Sequence, residues 1–248
     1  MISIIIPVQK IKKTINPKYF YKKVFGIKET ITSIVNTIGD LKFEFVFIQN
    51  GKNEELTNYL EQILQKYPGR LILISDTIGV ARAWNIGISG SKYDILAVCN
   101  DDVEFKDNSS WLKLLNALKP ENVGEVGPEG GLWDYDKGGK RLGIDCNDEV
   151  EEISGYFFIT KREAFKIVGG FDEFYTPASF EEIDYSFKIR EAGFKCLVVA
   201  NTGIIHHGNH GISSKQVDIN YLGNQTINTT QLHQKNRSYF IRKWFKNE

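Results

Sequence analysis

The feature that most constrains this fold is the alternation of apolar segments with helical patterns over the first hundred residues. The segment DILAVC (94–99) shows no polar alternation, which is typical of a strand covered on both faces in a parallel sheet. Further back, Leu56, Leu60 and Leu64 recur at helical spacing, and Pro68 follows them. The pattern predicts an α/β fold, with a mostly parallel central sheet flanked by helices and a Rossmann-like nucleotide-binding half. The six predicted strands are 2–6, 43–48, 71–75, 94–99, 155–160 and 195–200.

The length of 248 residues suits one large α/β domain. We predict that this domain spans 1–212, and that 213–248 form a polar segment ending in a short basic and aromatic helix, NRSYFIRKWF, packed on the same domain. Residues 121–154 are rich in glycine and follow no clean period. They are therefore predicted to form a long loop region of the kind that often carries function.

Charge and cysteine content narrow the partners and the compartment. Lys plus Arg equals Asp plus Glu at 31 each, so no overall positive field points to nucleic acid. The cysteines, Cys99, Cys146 and Cys196, form neither a paired framework nor a CxxC motif, which predicts free thiols and a cytoplasmic location. The start, MISIIIPVQ, is interpreted as a strand and not as a signal peptide. A lysine- and aromatic-rich segment at 10–28 leaves open three alternatives, namely contact with an anionic group such as a diphosphate, a peripheral contact with the inner membrane face, or a solvated loop.

Polar or turn residues stand at the ends of several predicted strands. Asn100, Asp101 and Asp102 follow segment 94–99, and the earlier strands end at Pro7-Val8 and at Gln49-Asn50-Gly51. In open α/β sheets ligands bind outside the carboxyl ends of the strands, so these residues together predict one nucleotide pocket. Taken alone, the two aspartates are more typical of a solvated turn than of a binding site, and the prediction depends on the other motifs.

The second half of the chain carries more specific motifs. GGFDE (169–173) is followed by Phe180-Glu181-Glu182-Ile183-Asp184, then by Arg190 to Gly193, and then by a predicted strand that leads to His206. With these motifs the chain resembles inverting family-2 glycosyltransferases of the GT-A fold, especially their rhamnosyltransferase-like branch, over nearly its whole length. The resemblance implies metal-dependent transfer of a hexose or deoxyhexose from a nucleoside-diphosphate sugar to a glycan hydroxyl, as in polysaccharide biosynthesis. It implies a UDP- or dTDP-sugar as donor and a glycan or lipid-linked glycan as acceptor.

A cation site follows from the same resemblance. Asp102 would ligate Mn²⁺ or Mg²⁺ at the donor diphosphate, and Asn100 or Asp101 would contact the ribose or a metal-bound water. Such ions often take only one or two protein carboxylates when a phosphate supplies other ligands. His206 would be a further ligand, with His207 as the alternative, and imidazole favours Mn²⁺ over Mg²⁺.

The segment SDTIGVARAWNIG resembles the donor segment of the family. The resemblance implies that Gly79 allows close approach of the nucleotide sugar and that Arg82 and Asn85 face it. Gln49 stands where the family usually has an aspartate that reads the base edge. The alternative is an ordinary helix after a glycine turn, packed on the sheet through residues such as Ala83.

The catalytic base is assigned to Glu182 by the resemblance, at a position where aspartate is usual, and Glu181 is the alternative. Asp184 shares the motif, but its place beside the apolar face of the helix predicts a buried, hydrogen-bonded carboxylate. For the acceptor sugar, Trp133 and Tyr135 are the predicted stacking residues, whereas Trp133 could instead fill the core.

Two other functions remain open at this stage. A sugar-nucleotide nucleotidyltransferase shares the sheet order and the acids, but it needs a glycine-rich phosphate loop after the first strand, and PVQKIKK has no glycine. A non-catalytic, nucleotide-sugar-binding relic of the fold is kept open by the unusual Gln49 and Glu182. Donor turnover separates these alternatives from a glycosyltransferase.

Overall fold

The computed structural model describes residues 1–12, 24–134, 140–144, 147–208, 216–223 and 225–245. Its strands are β1 (Ile2–Val8), β2 (Phe43–Asn50), β3 (Gly69–Ile74), β4 (Ile95–Cys99), β5 (Val103–Phe105), β6 (Val123–Gly127), β7 (Gly130–Asp134), β8 (Lys140–Ile144), β9 (Asp148–Val150), β10 (Glu152–Ile153), β11 (Phe157–Lys161), β12 (Lys195–Val198), β13 (Ile204–His206), β14 (Asp218–Tyr221) and β15 (Gln225–Asn228). Its α-helices are α1 (Ile27–Thr37), α2 (Glu54–Leu64), α3 (Val80–Ser89), α4 (Ser110–Leu118), α5 (Arg162–Val168), α6 (Glu181–Glu191) and α7 (Thr229–Trp244).

A central sheet of eight strands has the order β3-β2-β1-β4-β11-β6-β12-β9. The strands β1 to β4 run parallel to their neighbours among themselves, as predicted for the first hundred residues. The later strand β11 runs antiparallel to both β4 and β6, so the second half of the sheet is mixed. The predicted strands all exist, and their ends differ from the prediction by one or two residues.

The sheet is covered on both faces, and β1 shows how its sequence achieves this. Ile4 and Ile6 point into the core under α1, α2 and α4, whereas Ile5 points into the core under α3, α5 and α6. Pro7 lies inside β1 and pairs with β2, but the pairing of β1 with β4 stops at Ile5. Pro7 is tolerated because it lies beyond the last residue of β1 that pairs with β4.

The region 121–154 is not a long loop, which corrects the prediction. It contains β6 to β10, and β10, β7 and β8 form a separate three-stranded sheet. These strands are only two to five residues long, and glycines stand where β-branched residues would signal a strand. Gly130 is required because a β-carbon there would collide with the carbonyl oxygen of Glu152 on the paired strand.

The C-terminal segment is more structured than predicted. The hairpin β14–β15 forms where a polar loop was expected, and α7 spans sixteen residues instead of the short helix NRSYFIRKWF. Phe240 of α7 is fully buried against Phe187 of α6 and Trp133 of β7. This packing brings the C-terminal helix against the start of α6.

Two of the predicted free thiols are described, and both Cys99 and Cys196 are buried and unpaired. Cys146, Tyr135, His210 and residues 13–23 of the segment 10–28 lie outside the described residues. Within the described part of the chain, no helix combines the length and the apolar composition that a membrane crossing requires.

Candidate active site

The carboxyl ends of β1, β2 and β3 meet at one edge of the sheet and enclose a cavity of about 410 Å³, which we call the strand-end cavity. The hairpin β14–β15 closes one side of it, because the backbone N–H of Leu222 donates a hydrogen bond of 2.8 Å to the carbonyl of Thr77. The strand-end cavity is lined by Gln9, Lys10, Asn50, Gly51, Lys52, Asn53, Ser75, Asp76, Thr77, Asn220, Tyr221 and Gly223. Its position and polar lining suit a nucleoside.

A second cavity, which we call the acidic cavity, has a volume of about 330 Å³ and lies where β4 ends beside the start of α6. It contains Glu181, Glu182 and His206 together, although these residues come from two distant parts of the sequence. Its other lining residues are Val80, Trp84, Asn100, Glu129, Ser154, Gly155, Tyr156, Ala178 and Ser179. Carboxylates and an imidazole in one concave site are the groups that acid–base or metal-assisted chemistry requires.

Asp102 lies just after β4, and its carboxylate contacts both an imidazole and an ammonium group. Its side chain is 6% exposed, its Oδ1 lies 3.2 Å from Nε2 of His206, and its Oδ2 lies 3.0 Å from Nζ of Lys12. Burial acts to raise the pKa of Asp102, but the hydrogen bond from His206 and the charge of Lys12 lower it to about 2. Asp102 therefore carries a negative charge at neutral pH.

Lys12 bridges two acids, because its Nζ also lies 3.0 Å from Oδ1 of Asp101. Burial opposes the charge of Lys12, yet Asp101 and Asp102 together raise its pKa. For Asp101 the balance is opposite, since burial raises its pKa in spite of Lys12. Asn100 precedes them, and its backbone N–H donates to the carbonyl of Tyr156 at 2.8 Å.

The two adjacent histidines face different partners. β13 pairs antiparallel with β5, and this register places His206 opposite Val103, next to Asp102. The imidazole of His206 stacks on Tyr156 with ring centroids 4.6 Å apart. The imidazole of His207 instead stacks on Phe25, and its Nε2 lies 2.7 Å from Oε2 of Glu104. Of the two predicted ligands, only His206 brings its imidazole to the carboxylate of Asp102, whereas His207 contacts Asp102 through a backbone hydrogen bond.

The Asp102–His206 pair fits a divalent cation. Two ligands at right angles and ~2.1 Å from an ion lie ~3 Å apart, close to the 3.2 Å between Oδ1 of Asp102 and Nε2 of His206. Within the described residues no group of three His, Cys, Asp or Glu side chains forms a metal site. The chain would therefore supply two ligands, and substrate oxygens or water the others, as is common for hard divalent ions.

Glu181 and Glu182 begin helix α6 and differ in exposure. Glu181 is 4% exposed, and its Oε2 has no hydrogen-bond partner among the described residues. Burial, and then the charge of Glu182, raise the pKa of Glu181 well above its usual range. Glu182 is only partly buried. Gly155 makes room for it, because a β-carbon at Gly155 would lie 2.9 Å from both Cβ and Cγ of Glu182.

The backbone before α6 is strained. Ser179 and Phe180 have φ angles of 81° and 78°, a region that side chains other than glycine seldom adopt. Asn236 of α7 is completely buried and directs its Nδ2 at the carbonyl oxygens of Tyr175, Ala178 and Ser179, at 3.2, 2.9 and 2.8 Å. The C-terminal helix thus stabilises the turn that orients the two glutamates.

Asp184 is buried and hydrogen-bonded, as predicted. It is 0% exposed, and its Oδ1 accepts hydrogen bonds from Tyr175 Oη at 3.1 Å and from Trp244 Nε1 at 2.8 Å. Lys243 of α7 lies 2.8 Å from the same carboxylate and also contacts Asp172. With these partners Asp184 fixes α6 to α7 and is not available to accept a proton from a substrate.

Two polar residues predicted to contact the donor, Gln49 and Asn50, form hydrogen bonds with other groups of the protein. Gln49 is 4% exposed, donates to the carbonyl of Gly51 at 3.1 Å and accepts from Thr57 Oγ1 at 2.7 Å. Asn50 accepts from the backbone N–H of Ile78 at 2.8 Å and donates to Gly79 O at 3.3 Å. Asn50 lines the strand-end cavity, and Gln49 contacts the lining residue Gly51 without lining the cavity itself.

The residues of α3 that were predicted to face the donor have partners within the chain. The amide of Asn85 pairs with both the N–H and the carbonyl of Phe171, at 2.9 Å each, and Arg82 lies 3.0 Å from Glu173. Gly79, with a φ of 87°, makes room for the protein's own backbone, since a β-carbon there would lie 2.8 Å from Pro177 O. These residues join α3 to the segment before α6.

Trp133 and Tyr135 were predicted to stack on the acceptor sugar. Trp133 is 6% exposed and packs on Phe240 and Phe187, with ring centroids 4.9 and 6.2 Å apart. This position corrects the expectation that it stacks on a sugar and supports the core alternative. Tyr135 lies outside the described residues. At the other end of the site, Val8 is 2% exposed and belongs to the core.

Three residues that the sequence did not single out shape the site, namely Lys12, Gly155 and Asn236. Lys12 follows β1 in a basic segment, which was a weak signal for a phosphate or acid partner. Gly155 precedes an aromatic strand, where a lone glycine suggests a close backbone approach. Asn236 had no signal, since its three acceptors lie more than fifty residues away in sequence.

Solved structures with the same fold include several glycosyltransferases. The mannosyltransferase PcManGT from Pyrobaculum calidifontis, in complex with GDP-Man and Mn²⁺, has a TM-score of 0.63 and 14% identity, covering 86% of this chain and 59% of its own. GalNAc-T7 with UDP, GalNAc and Mn²⁺ has a TM-score of 0.69 and 16% identity, covering 99% of this chain and 48% of its own. TarS 1–349 of S. aureus in complex with UDP has a TM-score of 0.58 and 12% identity, and the match covers 81% of this chain and 58% of the TarS chain. The shared fold is the GT-A fold that the sequence predicted.

Two sequence comparisons complement the structural ones. The uncharacterized protein y4gI of Sinorhizobium fredii (strain NBRC 101917 / NGR234) is 24% identical over 208 residues, which make up 73% of this chain and 23% of that protein. This chain thus spans about a quarter of the length of that relative and about half of the structural neighbours. The model of glycosyl transferase family 2 matches residues 20–179, more than half of the chain, and the chain therefore belongs to glycosyl transferase family 2.

Proposed function

We propose that this chain transfers a hexosyl or deoxyhexosyl group, with inversion, from a nucleoside-diphosphate sugar to a glycan hydroxyl in a reaction that needs a divalent cation. The observation that carries the proposal is the shared cavity. His206, 3.2 Å from Asp102, lines the same space of about 330 Å³ as Glu182. A cation site and a carboxylate base therefore face one reaction space.

At the cation site, Asp102 and His206 would hold Mn²⁺ or Mg²⁺ through Oδ1 and Nε2. Bound there, the ion supplies positive charge that stabilises the departing nucleoside diphosphate. To ligate the ion through Nε2, His206 must carry its proton on Nδ1. Asp102 is already ionised at neutral pH before the ion binds, and the charge of a bound cation would keep it ionised. Mn²⁺ complexes among the structural neighbours support this choice of ion.

On the acceptor side, Glu182 would take the proton of the attacking hydroxyl as the oxygen approaches the anomeric carbon. An inverting displacement needs one such base. Glu181 suits this role less well, because it is 4% exposed and therefore less accessible to an acceptor hydroxyl than the partly buried Glu182. We therefore assign the base to Glu182, and Gly155 leaves the space in which its side chain sits.

For the donor, we propose that the nucleoside of a UDP- or dTDP-sugar occupies the strand-end cavity. Asp76 and Asn220 on its rim offer a carboxylate and an amide to a base edge. Solved neighbours are complexes with UDP or with GDP-Man, so uridine and guanosine nucleotides both bind to proteins of this fold. Direct comparison of UDP, dTDP and GDP by titration decides between them.

For the whole protein, we propose that 1–212 and 213–248 form one catalytic domain that acts in the cytoplasm, at the inner membrane face, on a glycan or a lipid-linked glycan. The buried contact of Phe240 with Trp133 supports the single domain. The lysine- and aromatic-rich segment 10–28 supports the membrane location.

The test of the function is a donor screen with Mn²⁺, in which nucleotide release and thermal stability are measured for UDP-, dTDP- and GDP-sugars. A true donor at ~100 times its dissociation constant should stabilise the fold by ~2.7 kcal/mol. Release of nucleoside diphosphate that requires Mn²⁺ is the expected result. Stabilisation without any release, even with glycan acceptors added, would instead indicate a binding protein that has lost catalysis.

A further inference from the structure

We infer that Lys12 has two roles in the proposed reaction: it competes with the divalent cation for Asp102, and it binds the donor diphosphate once the cation has displaced it. The inference rests on the proposed function, because it takes Asp102 as a cation ligand. Lys12 follows the end of β1 by four residues, in a stretch of chain whose earlier members, Gln9 and Lys10, line the strand-end cavity.

The contacts of Lys12 are those of a cation site. Its Nζ lies 3.0 Å from Oδ1 of Asp101 and 3.0 Å from Oδ2 of Asp102. The side chain is 17% exposed, and that of Asp102 only 6%. Charge-assisted hydrogen bonds in such a setting are stronger than on an open surface. The ammonium therefore already holds the carboxylate that a metal ion would use.

A divalent ion on Asp102 and the ammonium on the same carboxylate repel each other. The divalent ion carries two positive charges and the ammonium of Lys12 carries one, and on one carboxylate they would lie within a few ångströms of each other. The two cations therefore cannot share Asp102 without a large electrostatic cost. Lysine has a long flexible stem, so its ammonium can leave the carboxylate without a change in the fold. Binding of the metal alone is therefore weakened, because it must first displace Lys12.

The displaced ammonium has a natural partner when the donor is present. A nucleoside in the strand-end cavity and a cation on Asp102 are linked by the diphosphate, which must cross the space between them. Lys12 lies at that crossing, since Lys10 lines the strand-end cavity and Lys12 reaches Asp102. A lysine ammonium is a common point-charge ligand of phosphate.

These two roles couple the cation and the nucleotide. The nucleotide gives Lys12 a new partner and so favours its release from Asp102, which favours the metal. By linkage the metal must then strengthen nucleotide binding by the same factor. The cation and the nucleotide therefore bind more tightly together than either does alone, and the enzyme without nucleotide binds the cation weakly.

The experiment compares Lys12→Met with wild type and with Lys42→Met, a control at an exposed lysine before β2. Mn²⁺ binding without nucleotide is measured by the electron paramagnetic resonance of free Mn²⁺, and UDP binding at saturating Mn²⁺ by calorimetry. We expect Lys12→Met to bind Mn²⁺ alone about 10-fold more tightly and UDP about 10-fold more weakly, an effect of opposite sign on the two ligands. Lys42→Met should match wild type in both.

The charge-conserving variant Lys12→Arg guards against a folding defect, and it should retain weak Mn²⁺ binding. Equal affinities in Lys12→Met and wild type, or a loss of both, would overturn the inference and leave the proposed function standing. A wild-type protein whose UDP binding ignores Mn²⁺ would overturn both.

Discussion

The donor edge, formed by the strand ends at 7–12, 49–53 and 100–102, and the catalytic edge, formed by 176–182, are built in different ways. At the donor edge the site residues lie at strand ends or within four residues after them, and Lys12 forms an ion pair with Asp102. At the catalytic edge the backbone is strained at Ser179 and Phe180 and depends on α7 from the end of the chain. Mutations at the donor edge should therefore weaken ligand binding, whereas mutations at the catalytic edge should lower both the stability of the fold and the catalytic rate.

The largest effect is expected at Glu182. Glu182→Gln removes the proposed base and should lower kcat by about 10²- to 10⁴-fold, while the affinities for Mn²⁺ and nucleotide stay at wild-type values. Steady-state kinetics and titration of UDP measure the two quantities separately. Glu181→Gln is the matched control, because this carboxyl has a raised pKa and an amide mimics its protonated form. If Glu181→Gln lost activity and Glu182→Gln kept it, the base would be the other glutamate.

Trp133 tests whether the catalytic edge is supported from the core. Trp133→Ala should destabilise the fold by about 3–5 kcal/mol, the usual cost of emptying a large aromatic site, because its ring packs on Phe240 and Phe187. Chemical denaturation measures the loss, and Trp133→Phe, which keeps most of the apolar volume, should retain much of the stability. An unchanged stability together with a raised KM for acceptor would restore the sugar-stacking interpretation.

Asn236 probes the strained turn directly. Asn236→Asp keeps the size of the side chain but removes its two N–H groups, leaving the carbonyls of Ala178 and Ser179 without that donor, which should cost about 1–3 kcal/mol. Because the turn orients Glu182, kcat should fall as well, with little change in nucleotide affinity. Gln234→Ala, an exposed position of the same helix, serves as the control. Loss of nucleotide affinity as large as the loss of kcat would contradict the separation of the two edges.

A pH-dependent effect is expected at Glu125, a fully buried acid behind the catalytic edge that accepts a hydrogen bond from Ser186. Burial raises its pKa from 4.5 to about 8. The folded state therefore keeps a proton that the unfolded state releases, so stability should fall as pH rises from 4.5 to 8.

Glu125→Gln should remove this dependence. Its stability relative to wild type should be unchanged near pH 4.5 and should increase by up to about 1.4 kcal/mol per pH unit above it. Denaturation at a series of pH values measures the difference, which is insensitive to the other acids. A constant difference at all pH values would show that Glu125 is ionised in the fold.

The donor edge was largely predictable from the sequence, because it depends on local order. The apolar segments that form β1 and β4 have a clear pattern, and the residues after them stand at a known edge of a parallel sheet. Lys12 escaped prediction since its pairing with Asp101 and Asp102 joins residues about ninety positions apart.

The catalytic edge was predictable only in part. The motif around Glu182 and Asp184 was found from its resemblance to the family, and the burial of Asp184 from the helical pattern. The elements that support this motif were not predicted. The short strands of 121–154 lack an apolar period, and the contacts of Asn236 depend on how α7 packs against the rest of the domain. Packing between distant segments decides these features, and no local pattern encodes it.

The central claim, that Asp102 and His206 hold the cation that binds the donor, is tested most directly by nucleotide affinity with and without the metal. UDP is titrated into wild type, Asp102→Asn and the control His207→Gln, with Mn²⁺ and then with EDTA. Wild type and His207→Gln should lose at least about 10-fold in affinity with EDTA, whereas Asp102→Asn should bind weakly in both conditions. If Asp102→Asn bound UDP with the affinity and the EDTA sensitivity of wild type, the cation would be held elsewhere.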